Sequence, residues 1–198
     1  MPRDFVTVVS GLPRSGTSML MSMLESGGIA ALSDGERKAD DDNPRGYYEL
    51  EAVKLLPAGT DWLARAPGSA VKVVSALLDR LPAGHDYRVL FLERDLGEVL
   101  ASQRRMLERR GEPTDRVGDS AMAGMFRRHL DQVLALAGAR SEVRLLVLRH
   151  AQVLANPAAA AQRIDDFLGG GLDRSAMAAA VDDGLWRQRR SASPGARR

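Results

Sequence analysis

Eight consecutive residues, Gly11-Leu12-Pro13-Arg14-Ser15-Gly16-Thr17-Ser18, place two glycines, one arginine and three hydroxyls in a single short run. Glycines let a backbone turn tightly enough for successive N–H groups and the positive end of a following helix to converge on one anion. Ser15, Thr17 and Ser18 add hydroxyl donors, and Arg14 adds a cation. A plain strand-to-helix turn with a serine cap is the alternative, and it requires only a fraction of this chemistry. The run departs from the nucleoside-triphosphate pattern G-x-x-x-x-G-K-[ST] at one place, because Thr17 stands where the lysine that reaches the β and γ phosphates belongs. The loop therefore suits a single phosphate assisted by Arg14, and an ordinary triphosphate is not the expected ligand.

The elements around this run set its context. Phe5–Ser10 is a β-branched stretch that ends in Gly11, while Met19, Leu20, Met23 and Leu24 recur at helical spacing and stop at Gly27 and Gly28. Strand, tight loop and helix follow in the order a phosphate loop requires. Further strands are expected at Val71–Val74, Arg88–Glu93 and Val143–Leu148, with the first two of these inside the sheet. Asp95 caps a helix with the stripe Leu96, Val99, Leu100, Gln103 and Leu107, ending near Gly111. A longer helix over 119–137 puts Met122, Met125, Phe126, His129, Leu130, Val133 and Leu134 on one face, with His129 at the core edge. Pro157–Leu168 opens on proline and closes before Gly169-Gly170-Gly171, and Ala176–Val181 adds a turn or two. Ser33–Tyr48, polar and carrying Asp40, Asp41 and Asp42, reads as an exposed loop. Strands alternating with helices predict an α/β, three-layer phosphate-loop fold with a mostly parallel central sheet flanked by helices.

Pro13–Ser18 resembles the donor-binding loop of the sulfotransferase family, Pro-[Lys/Arg]-Ser-Gly-Thr-[Ser/Thr], at every position. These enzymes move a sulfuryl group from 3′-phosphoadenosine 5′-phosphosulfate to an acceptor, leaving adenosine 3′,5′-bisphosphate. The resemblance implies that Arg14, Ser15, Gly16, Thr17 and Ser18 hold the 5′ phosphosulfate of this donor. A second family motif pairs a strand-end arginine with a serine eight residues on, which together hold the 3′ phosphate. Arg94 and Ser102 stand at that spacing. The segment Leu148-Arg149-His150-Ala151-Gln152, continued by Pro157 and Phe167-Leu168-Gly169, is similar to the family's Arg-Tyr-Glu segment, with His150 in place of tyrosine and Gln152 in place of the acid. The family's glycine-rich C-terminal motif has no counterpart, and Arg187, Arg189 and Arg190 are its nearest substitutes.

Attack on sulfur by a hydroxyl or amine needs a general base, and the departing phosphate needs a cation, for which Arg14 is placed. Glu36 holds a position resembling the glutamate base of tyrosylprotein sulfotransferases, with a solvated loop acid as the alternative. Glu49 is the second candidate. It ends Asn43-Pro44-Arg45-Gly46-Tyr47-Tyr48-Glu49, similar to a segment of bacterial members. The expected reaction is in-line displacement with no metal. Lys72 interrupts a strand and is expected to face solvent or the donor, and His85 lies in a loop.

Composition bounds these expectations. The 198 residues fit one domain, predicted over 1–186, and the absence of cysteine excludes disulfides, thiol nucleophiles and cysteine-based metal sites. The three histidines show no metal-ligand spacing. Five arginines and no acid fall in 187–198, read as a basic, flexible tail. Residues 1–186 then hold 23 of the 28 cations against all 26 acids. A slightly acidic body argues against a nucleic-acid face. No apolar run approaches a membrane span and the start lacks a signal-peptide core, so a cytoplasmic location is expected. The partner expected is a small-molecule or glycan acceptor, and the oligomeric state is not encoded in any visible pattern. Two rivals are a phosphate-loop kinase or nucleoside triphosphatase with Glu93 beside magnesium, and a catalytically inactive nucleotide-binding protein.

Overall fold

The computed structural model describes residues 3–36, 46–114 and 117–182. Four strands, β1 (Val6–Gly11), β2 (Ala70–Val74), β3 (Tyr87–Glu93) and β4 (Val143–Arg149), form one parallel sheet in the order β2-β1-β3-β4. Seven α-helices are described with them: α1 (Thr17–Ser26), α2 (Glu51–Lys54), α3 (Leu96–Arg109), α4 (Asp119–Ala139), α5 (His150–Ala155), α6 (Pro157–Phe167) and α7 (Arg174–Ala179). Short 3-10 helices at Asp61–Arg65 and Ser75–Arg80 flank β2. The predicted α/β fold with a parallel sheet is the one observed.

Why the strands read as continuous apolar runs is visible in the packing. Side chains alternate across a strand, and here both faces are covered. Val9, Leu90 and Leu92 pack with Leu20, Leu24, Ile164 and Met177 of α1, α6 and α7. Val8, Val71, Val73, Val89 and Phe91 pack on the other face with Trp62, Leu78, Val133 and Ala137.

Three expectations are corrected. β2 lies at the sheet edge rather than inside it; its outer side is covered by backbone pairing of Ala30 and Leu32 to Ala70. The stretch at 33–48 is not simply an exposed loop, because Tyr47 is buried beside Lys72 and the Tyr48 hydroxyl donates to Glu25 at 2.8 Å. Finally, α3 turns Glu98 and Ser102 inward with Val99 and Leu100, leaving Leu96, Gln103 and Leu107 half-buried. Asp40, Asp41 and Asp42 and the arginine-rich 187–198 lie outside the described residues.

Parallel strands bring their carboxyl ends to one edge. Gly11 is in register with Val74 on one side and Leu92 on the other, and Glu93 with Arg149. The chain leaves β1 for β2 on one side and then crosses to β3 on the other, so the crevice outside β1 and β3 is the topological switch point where open α/β sheets bind ligands.

Candidate functional site

The loop from Gly11 to Ser18 occupies that crevice. Both of its glycines are dictated by close approach. A Cβ on Gly11 would stand 2.6 Å from Ser15 Oγ and 2.7 Å from the Leu92 carbonyl, and one on Gly16 would stand 2.7 Å from His150 Cδ2. Gly16 caps α1 in the left-handed region at φ +99°, so its backbone geometry also favours glycine. The first turn of α1 leaves N–H groups at Gly16 and Thr17 without helical acceptors. Ser15 Oγ is buried and has no hydrogen-bond partner among the described residues. A cradle that a Cβ would fill, orphan N–H groups and an orphan hydroxyl fit an anion of phosphate size.

Arg14 is a non-glycine residue at φ +70°, a conformation that costs on the order of 1 kcal/mol. Two long-range hydrogen bonds hold it there. Arg94 Nη1 donates to the Arg14 carbonyl at 3.1 Å, and Arg14 Nε donates to Ser102 Oγ at 3.0 Å. Arg14 thus links the strand-end arginine, through its backbone carbonyl, to the helix serine, through its guanidinium. Asp95 makes this possible: its carboxylate accepts the Glu98 N–H at 3.1 Å and starts α3 immediately after β3. Glu98 and Ser102, spaced by four, then share one side of the helix, and Arg94, just before the cap, reaches Glu98. Arg94 Nε pairs with Glu98 Oε2 at 3.0 Å, with both side chains nearly buried.

His150 opens α5 directly after β4 and is buried against Gly16. Burial, and next the charge of Arg94, push its pKa down to about 4 against a smaller opposing effect of Glu98. The imidazole is neutral at pH 7.

The candidate bases fall elsewhere. Glu36 is exposed, and its N–H donates to Asp34 Oδ1; no described contact ties its side chain to the loop. Asp34 also accepts the Glu51 N–H, a bond that leads the effects holding its carboxyl below the usual range. Glu49 stands between two lysines, Oε2 at 3.4 Å from Lys54 Nζ and Oε1 at 4.0 Å from Lys72 Nζ. Lys72 corrects the solvent-facing alternative. Its side chain is only 9% exposed and donates to the Tyr47 carbonyl. A second feature is absent from the sequence reading altogether. Ser75, the residue after β2, is buried with its Oγ 2.9 Å from His129 Nε2. Serine and histidine 54 residues apart carry no local signal that would join them.

No family model and no curated protein sequence matches the chain at a significant level. Solved structures do match in fold. The sulfotransferase domain from the curacin biosynthetic pathway is 15% identical with a TM-score of 0.53, over 91% of this chain and 84% of that one. A sulfotransferase from Alicyclobacillus acidocaldarius is 14% identical with a TM-score of 0.55, over 86% and 85%. Retinol dehydratase in complex with androsterone and inactive cofactor PAP is 19% identical with a TM-score of 0.50, over 90% of this chain and 63% of that one. At these identities the likeness establishes the phosphate-loop fold of the sulfotransferases for this chain.

Proposed function

We propose that the protein is a sulfotransferase that takes its sulfuryl group from 3′-phosphoadenosine 5′-phosphosulfate and passes it to a hydroxyl or amine by in-line displacement. The observation that carries this reading is the junction of Arg14, Arg94 and Ser102 at a phosphate loop that has Thr17 in place of the triphosphate-binding lysine. Two separated phosphate groups, rather than a chain of three, match a loop at one end of α1 and a second site made by Arg94, just before α3, with Ser102 on it. The PAP in the retinol dehydratase structure supports the same choice.

The donor, when bound, supplies an activated sulfuryl group. Ser15, Gly16, Thr17 and Ser18 bind its 5′ end through N–H and hydroxyl donors, and Arg94 with Ser102 binds its 3′ phosphate. Arg14 offsets charge on the departing phosphate. Glu36 accepts the proton of the acceptor, with Glu49 as the second candidate. The acceptor is a small molecule or glycan. No described helix is long and apolar enough to cross a membrane.

Calorimetric titration with adenosine 3′,5′-bisphosphate, adenosine 5′-phosphate and ATP, each with and without magnesium, tests the reading. A preference for the bisphosphate of at least about tenfold, independent of magnesium, is expected from one extra charge-assisted phosphate contact. A preference for magnesium-ATP overturns it in favour of phosphoryl transfer with Glu93 near the metal. Tight bisphosphate binding without sulfuryl transfer to any of a broad acceptor panel would identify a binding protein instead.

A further inference from the structure

His150 has no part in the chemistry above, yet its ring lies on the glycine at the heart of the loop. Gly16 is so close that a Cβ there would meet His150 Cδ2 at 2.7 Å and Nε2 at 3.1 Å. The charged groups around it come from four segments. Arg94, at the end of β3, and Glu98 of α3 act on it directly. The loop contributes Arg14, whose guanidinium is turned to Ser102. Its own strand contributes Arg149, which is exposed, and α5 contributes no other ionisable residue. Arg94 and Glu98 form an ion pair with each other, so Glu98 offsets part of the stronger effect of Arg94 on the imidazole. An anion seated in the loop is then the added charge that opposes the effects of burial and Arg94 on the ring.

We propose that His150 is a proton-coupled positioning residue of the phosphate site: neutral in the ligand-free protein, it takes up a proton from solvent when a phosphate enters the loop, and the imidazolium then helps hold that phosphate. The proposal rests on the reading of Gly11–Ser18 as a phosphate site. A phosphate monoester brings a charge of about −1.5 to −2 at neutral pH. An opposite charge at about 4–6 Å raises a titration midpoint by roughly 1–3 units. Burial holds His150 near 4 without ligand, so the bound midpoint falls in the weakly acidic range, where the free ring is neutral. Binding therefore consumes a proton there, and dissociation of the nucleotide returns it.

Titration calorimetry of the full chain with adenosine 3′,5′-bisphosphate at pH 5.5, in two buffers of different ionisation enthalpy, reads the proton count. The ligand's own phosphates titrate in the same range, so the wild type is compared with His150→Asn and His150→Gln. The expected result is an uptake at least about half a proton larger in the wild type, and an affinity that rises about tenfold more between pH 7 and pH 5 than in either variant, the gain given over that interval by a shift of about two units from a free midpoint near 4. A second measurement needs no folded variant. The imidazole proton signals of the three histidines are followed by NMR against pH, with and without the bisphosphate. One midpoint below 5 moving up by a unit or more is expected. Equal proton uptake in wild type and variants, or three unmoved midpoints in a protein that binds the nucleotide, overturns the role of His150 and leaves the phosphate site standing. Failure to bind bisphosphate or inorganic phosphate at any pH overturns both.

Discussion

Arg94 makes two contacts whose loss has different consequences. Its Nε holds Glu98, and its Nη1 holds the carbonyl of the left-handed Arg14. Removing the side chain takes away the cation proposed for the 3′ phosphate and also loosens the turn. Arg94→Ala is expected to lower affinity for adenosine 3′,5′-bisphosphate to about that for adenosine 5′-phosphate, a loss of roughly tenfold or more for one charge-assisted contact. Equal losses for both ligands in calorimetry would mean that only the turn had loosened. The two glutamates are separated by the same logic. The carboxylate that accepts the acceptor's proton should lose about 10²–10⁴ in turnover on replacement by Gln, with nucleotide affinity nearly intact. Glu36→Gln is expected to show this loss and Glu49→Gln a smaller one. Glu49 is already engaged by Lys54 and Lys72, so its variant frees two cations rather than removing a base. A loss confined to Glu49→Gln would move the assignment to that residue.

At the scale of elements, α3 is the part that turns a spacing into a site. Its phase is set by the Asp95 cap, and that phase puts Arg94, Glu98 and Ser102 together. Asp95→Ala is expected to cost about 1 kcal/mol of stability in urea unfolding, the usual worth of a helix N-cap, and to weaken bisphosphate binding along with it. An unchanged unfolding midpoint would show that the cap is dispensable. The α1 entry is less forgiving. Gly16→Ala places a methyl group against His150 in a left-handed backbone, so phosphate binding should be lost even if the fold survives. The predicted stripe of α3 missed its inward polar face because periodicity weighs only apolar residues. A helix that lines a charged site buries Glu98 and Ser102 through their partners instead.

For the molecule as a whole, a histidine buried neutral links folding to pH. The folded midpoint of His150 lies near 4, below the unfolded value of 6.5. The unfolded chain therefore binds the extra proton first as pH falls. The stability contributed is fully present above about pH 6.5, is lost progressively toward pH 4, and changes no further below that. The full shift corresponds to roughly 3 kcal/mol. Urea unfolding of the ligand-free protein should show a steeper decline from pH 7 to pH 4.5 in the wild type than in His150→Asn. Parallel declines would show that this ring is not the linked group.

The alternation of strands and helices along the chain, the helix after Gly16, the cap at Asp95 and the tight, hydroxyl-rich turn of Gly11–Ser18 were legible in the sequence, because each depends on residues within a few positions of one another. Backbone sterics, capping and hydrophobic period act locally. The edge position of β2, the burial of Tyr47 and Lys72, the Ser75–His129 pair and the seat of His150 on Gly16 were not legible. Each joins segments separated by tens of residues, and their juxtaposition follows from the crossing of the chain over β1 and from which surfaces exclude water. The eight residues of the loop determine a tight turn lined with N–H and hydroxyl donors. The packing of α3 and α5 around them decides which charges surround it.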